Sequence, residues 1–154
     1  MITVTKEKKG DVLQVRFVGS IDETANFQEL VGELSPELRL GLKEISMINS
    51  SGARGWIRYF HSIVTAGTRL TYFECSTAIV EQINLIPNFA CGAHIESIYV
   101  PFACVACKKE FVSLFKSSDL KQRTTQFQAM KCPKCGDKVV FDDLEQEYFR
   151  FLSR

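Results

Sequence analysis

Two Cys-x-x-Cys pairs, Cys104-Val-Ala-Cys107 and Cys132-Pro-Lys-Cys135, constrain the fold of this chain more than any other feature. Such a segment closes into a tight knuckle that points two thiolates at one ion, and two knuckles complete a tetrahedral four-sulfur site suited to zinc. Gly136, directly after the second pair, suits the turn that the knuckle needs. A redox dithiol is the competing reading, but it needs one pair only, set at a strand-to-helix turn of a βαβ unit. Here 24 residues separate the pairs, in a segment too small for a core of its own. That favours one structural zinc per chain on Cys104, Cys107, Cys132 and Cys135. Apolar stretches at 110–115, 126–130 and 138–141 are expected to supply the short strands of a zinc ribbon. A helix from about Asp143 is expected to gather Leu144, Tyr148, Phe151 and Leu152 on one face and to pack on the rest of the chain or on a second copy.

Ahead of Pro101 the pattern is different. Residues 2–5 and 12–18 read as a hairpin around Gly10-Asp11, and a helix is expected over 23–34, ended by Ser35-Pro36. Strands follow at 38–48, 69–75 and 95–100, and helices at 52–66 and 77–86. The order β-β-α-β-α-β-α-β predicts an α/β fold with a mixed sheet and packed helices over 1–100, and the zinc ribbon with its C-terminal helix over 101–154. No apolar run reaches 18 residues and the N-terminal stretch lacks a signal peptide's apolar core, so a cytoplasmic protein without membrane contact is expected. In that compartment six cysteines are metal ligands or free thiols rather than disulfides.

The centre of the first part is Asn49-Ser50-Ser51-Gly52, where the apolar strand gives way to a helix with Ala53, Trp56, Ile57, Phe60, Ile63 and Val64 on one face. The serines lie at or beside the N-cap. A serine there can satisfy an orphan N–H, or it can accept a phosphate that the helix N-terminus stabilises.

Residues 1–100 resemble the STAS family of bacterial anti-sigma factor antagonists. The resemblance rests on Val15-Arg-Phe-Val-Gly-Ser-Ile-Asp22, on Asn49-Ser-Ser-Gly52 and on Ala66-Gly67, in this order and spacing. It implies a binding and switching module in bacterial signalling, with a kinase or anti-sigma-factor-like protein as partner. Ser50 occupies the position of the family's phosphoacceptor, and Asp22, Asn49, Ser51 and Arg54 share the partner-binding surface. Two positions depart from the family pattern. Asn49 stands where the family has aspartate, and Arg54 stands where it has a small residue, so the local surface is less acidic.

No catalysis is expected. Ser50 has no Gly-x-Ser-x-Gly elbow, and His61 lies about 16 Å along the helix, too far to serve as its base. Two other readings compete with the switch: a STAS scaffold or ligand sensor that is not phosphorylated, and a zinc-ribbon nucleic-acid adaptor. The second finds little electrostatic support. Residues 101–154 carry ten Lys/Arg against seven Asp/Glu, or +3, and a zinc tetrathiolate (−2) leaves about +1.

Overall fold

Leu13, Val15 and Phe17 alternate with Gln14 and Arg16 along Val12–Ile21 (β2), so one face of that strand enters the core. The computed structural model, which describes residues 1–153, pairs β2 antiparallel with Thr3–Lys9 (β1) across Gly10-Asp11. Arg154, the last residue of the expected second part, lies outside the described residues. On its other side β2 runs parallel to Glu37–Ile48 (β3), which is parallel to Arg69–Phe73 (β4), itself parallel to the short His94–Ile95 (β5). The five strands lie in chain order in one mixed sheet. The parallel pairs are joined through the helices Phe27–Val31 (α1), Ser50–Thr65 (α2) and Thr77–Leu85 (α3). The expected mixed α/β arrangement is therefore present.

Trp56 on α2 is the centre of the core. Phe17, Phe27, Phe60 and Phe89 surround its ring at centroid distances of 4.5–5.6 Å. Its Nε1–H donates to the Tyr72 hydroxyl at 3.0 Å, and that hydroxyl donates to the Phe89 carbonyl at 3.0 Å. Both polar tips of the aromatic core are thus satisfied, which burial requires. Cys75 and Cys91 are small buried thiols, as expected, and burial raises the pKa of each.

Several elements differ from expectation. The first helix covers five residues rather than 23–34, because the Asp22 carboxylate accepts from both the Thr24 N–H and its hydroxyl and holds 22–24 in a turn. Asn26 then caps α1 by accepting from the Glu29 N–H. The expected strand 69–75 stops at Phe73, where Glu74 turns left-handed (φ 51°), and Cys75 forms only a bridge to Ile98. The expected strand 95–100 is two strands. β5 completes the first sheet, and Ser97–Cys104 (β6) starts a second, running on through residue 101.

β6 is the middle of that second sheet, flanked by Glu110–Lys116 (β7) and Val139–Phe141 (β8), both antiparallel. Pro101 is tolerated in a central strand because its nitrogen faces the gap between the Cys75 bridge and β8. Its carbonyl still accepts from the Asp142 N–H at 3.0 Å. Ribbon strands at 110–115 and 138–141 are present. The third, at 126–130, is replaced by the helix Arg123–Gln128 (α4) and a turn. Phe127 on α4 closes over Phe102, Phe115 and Phe141.

The C-terminal helix is one turn, Glu145–Tyr148 (α5), followed by a 3-10 turn. Leu144 is exposed rather than inward, and Tyr148 and Phe149 are the buried residues. This segment packs on α3. Asn84 donates to the Tyr148 carbonyl at 2.7 Å and accepts from the Phe151 N–H at 2.9 Å, while the Tyr148 hydroxyl donates to the Tyr99 carbonyl on β6.

Candidate metal centre and helix-cap surface

Cys104 ends β6 and Cys107 follows three residues on, and Cys132 and Cys135 lie in the loop between α4 and β8. The sulfurs of all four lie within 4.8 Å of one another, so these cysteines form a candidate metal centre. Cys104 Sγ is 3.5 Å from Cys135 Sγ, and Cys107 Sγ is 3.7 Å from Cys132 Sγ. A tetrahedral thiolate site with arms of about 2.3 Å has edges of about 3.8 Å, so the pairs already stand at the required span.

Each knuckle is closed by backbone N–H groups. Cys107 N–H donates to Cys104 Sγ, and Lys134 N–H to Cys132 Sγ, both at 3.4 Å. Each also needs a left-handed residue after its second cysteine. Gly136 (φ 77°) fills that role as expected, whereas in the first knuckle the residue is Lys108 (φ 65°). The repeat of the two knuckles was the signal for Lys108, since it stands where Gly136 does.

The electrostatics ask for a cation. The Cys107 N–H leads the groups that hold the Cys104 thiol below its ordinary value. Burial opposes the Cys132 thiolate, but the N–H groups of Cys135 and Lys134 and the nearby sulfurs outweigh it and bring its pKa to about 6. Cys135 accepts from the Asp137 N–H, which draws it down, yet the sulfurs of Cys104, Cys107 and Cys132 push it up to about 12. Four crowded sulfurs cannot all be anionic without a positive ion among them.

The second candidate surface is the turn at Asn49. Asn49, not either serine, is the N-cap of α2: its Oδ1 accepts from the Gly52 N–H at 2.8 Å. The turn is seated on the end of β2, where the Asn49 N–H donates to the Ile21 carbonyl at 3.1 Å. Gly52 lies so close that a Cβ there would stand 2.6 Å from the same carbonyl oxygen. Freed from capping, Ser50 is exposed in the first turn. Ser51 is half-buried and accepts from Arg54 Nη2 at 3.2 Å.

Asp22 lies one residue beyond Ile21, so it joins the same surface, but its carboxylate is committed to Thr24. The hydroxyl and N–H of Thr24 hold its pKa below the usual carboxylate value. Three contributors were missed. Glu23 Oε2 accepts from Asn49 Nδ2 at 3.3 Å. Gln82 and Leu85 of α3 line, with Asn49, Ser50 and Arg54, a groove of about 410 Å³ between α2 and α3. No local spacing signals these residues, because they reach the turn from other elements.

Comparison with protein-family models and with curated proteins finds no match for this chain. Among the described residues, no helix is long and apolar enough to cross a membrane.

Proposed function

We propose that this chain is a cytoplasmic, non-catalytic signalling module: a STAS-like domain that binds a protein partner and is switched by phosphorylation of Ser50, with a structural zinc ribbon attached. The single observation that carries the switch is the division of labour at the turn. Asn49 caps the helix and leaves the neighbouring Ser50 hydroxyl exposed at the positive end of a 16-residue helix. A phosphate there adds roughly −1.5 to −2 charges at a helix end that favours anions, with Arg54 one turn further on. The partner docks on Asp22, Asn49, Ser50, Ser51 and Arg54, and the added charge weakens that contact. Zinc on Cys104, Cys107, Cys132 and Cys135 ties the end of β6 to the loop before β8. It acts as a cross-link between two segments that are distant in the chain.

Intact-mass spectrometry after incubation with a cognate kinase and ATP tests the switch. One added phosphate, absent from the Ser50→Ala variant, is expected. Failure to label, or labelling that survives Ser50→Ala, overturns it. The groove beside Ser50 supports a second reading, in which the module senses a small anionic ligand without phosphorylation. Calorimetric binding of inorganic phosphate that is lost in Arg54→Ala would then replace phosphate transfer.

A further inference from the structure

β7 is an edge strand with a neighbour on one side only. The Tyr99 N–H of β6 donates away from β7, to the Cys75 carbonyl. In an antiparallel ladder, opposed residues either bond each other or both face away. The partner of Tyr99 is Leu114, so Leu114, Val112 and Glu110 turn their N–H and C=O groups to the open side. Val112, Leu114 and, on β8, Val140 are about half exposed, on the face that Phe111 and Phe115 do not share.

The other long edge of the molecule is different. β1 reads Thr-Val-Thr-Lys-Glu-Lys-Lys, and lysines of this kind blunt an edge against pairing. β7 lacks such protection in its middle and carries its charges at its ends only: Glu110 at the start and Lys116 at the finish. Among the described residues neither forms an ion pair, although Lys116 adds to the field at Glu96.

A strand with that arrangement is complementary to itself. Antiparallel pairing of two copies about Ser113 sets Glu110 opposite Lys116 of the second copy, Val112 opposite Leu114, and the reverse by symmetry. The same register brings the open N–H and C=O groups of Val112 and Leu114 face to face. We infer that β7 is a homodimerisation edge, at which two chains join antiparallel through Glu110–Lys116 into one continuous six-stranded sheet with two-fold symmetry. The inference stands apart from the switch at Ser50, which lies on another surface.

Charge reversal tests it, because Glu110 and Lys116 are about 20 Å apart along one strand and cannot contact each other within a chain. Zinc-loaded protein is expected to sediment as a dimer. Glu110→Lys and Lys116→Glu should each weaken dimerisation about tenfold or more, by placing like charges opposite at two symmetric positions. The double variant Glu110→Lys/Lys116→Glu should recover the wild-type dimer. Mixing the two single variants should yield a mixed dimer stronger than either alone. A monomeric wild type, including one that pairs this edge with a different protein, overturns the inference. So does a dimer that the single reversals leave intact or the double variant fails to restore. Circular dichroism and zinc content of each variant show that the fold is retained.

Discussion

Alanine at Gly52 and at Gly55 should move the stability of α2 in opposite directions. Both glycines lie in the same helix, and helix propensity alone favours alanine at each by about 0.5–1 kcal/mol. Their surroundings differ. A Cβ at Gly55 would meet only Phe27 Cε2, at 3.5 Å, an ordinary contact. A Cβ at Gly52 would stand 2.6 Å from the Ile21 carbonyl oxygen and 2.9 Å from both its carbon and Ile21 Cγ2. Carbon–oxygen contacts settle at about 3.3–3.6 Å, so the helix would have to retreat from β2 by about 0.7–1 Å. Two of the atoms met are backbone, so a change of rotamer does not relieve the clash. Overpacking of this kind costs about 1–3 kcal/mol. Because the propensity gain is nearly common to the pair, the difference between the two variants isolates the clash. Gly55→Ala should gain about 0.5–1 kcal/mol. Gly52→Ala should be about 1–3 kcal/mol less stable than Gly55→Ala. Thermal unfolding followed by the fluorescence of Trp56, at about 2–4 °C per kcal/mol for a chain of this size, resolves the two. A Gly52→Ala variant as stable as Gly55→Ala would refute the close approach of α2 to Ile21.

Asn49→Ala should cost about 1 kcal/mol through loss of the cap, whereas Ser50→Ala should change stability little; equal losses in the same melt would return the cap to the serine. Purified protein should carry about one zinc per chain, and acidification should release it. The sign follows from the ligands: zinc is held by thiolates, so protons compete for the four sulfurs as pH falls. A chromogenic chelator reads the release, and full retention below pH 5 would contradict it. Asn84→Ala should leave the Tyr148 carbonyl and the Phe151 N–H without their partner, at about 1–3 kcal/mol. The effect should appear as faster hydrogen exchange over 144–153, with little change around Trp56.

What was legible in the sequence is what local chemistry settles. Two Cys-x-x-Cys knuckles bring their own geometry, so the four sulfurs converge as spacing required. The 3.6-residue period around Trp56 and Phe60 and the period of two in Val12–Ile21 each say which side chains go inward, because burial follows the repeat of the backbone. Even the end of α3 ahead of Pro87 could be read, since proline cannot continue a helix.

Tertiary contact decided the rest. Asn49, Ser50 and Ser51 can all cap a helix, and the seat of the turn on Ile21 selects Asn49. Residues 95–100 read as one strand, yet Ile95 pairs with β4 and residues 97–100 with β7. The period of a strand says which faces are apolar but not which neighbours it will find. The stretch 126–130 became helical because Phe127 had to cover Phe102 and Phe141, an aromatic cluster assembled from four separated segments. Likewise Leu144 is exposed while Tyr148 is buried, and the Tyr148 partners on α3 and β6 lie about fifty residues or more away in the chain. Propensity and spacing act over a few residues, whereas these choices compare burial between segments that meet only in the folded chain.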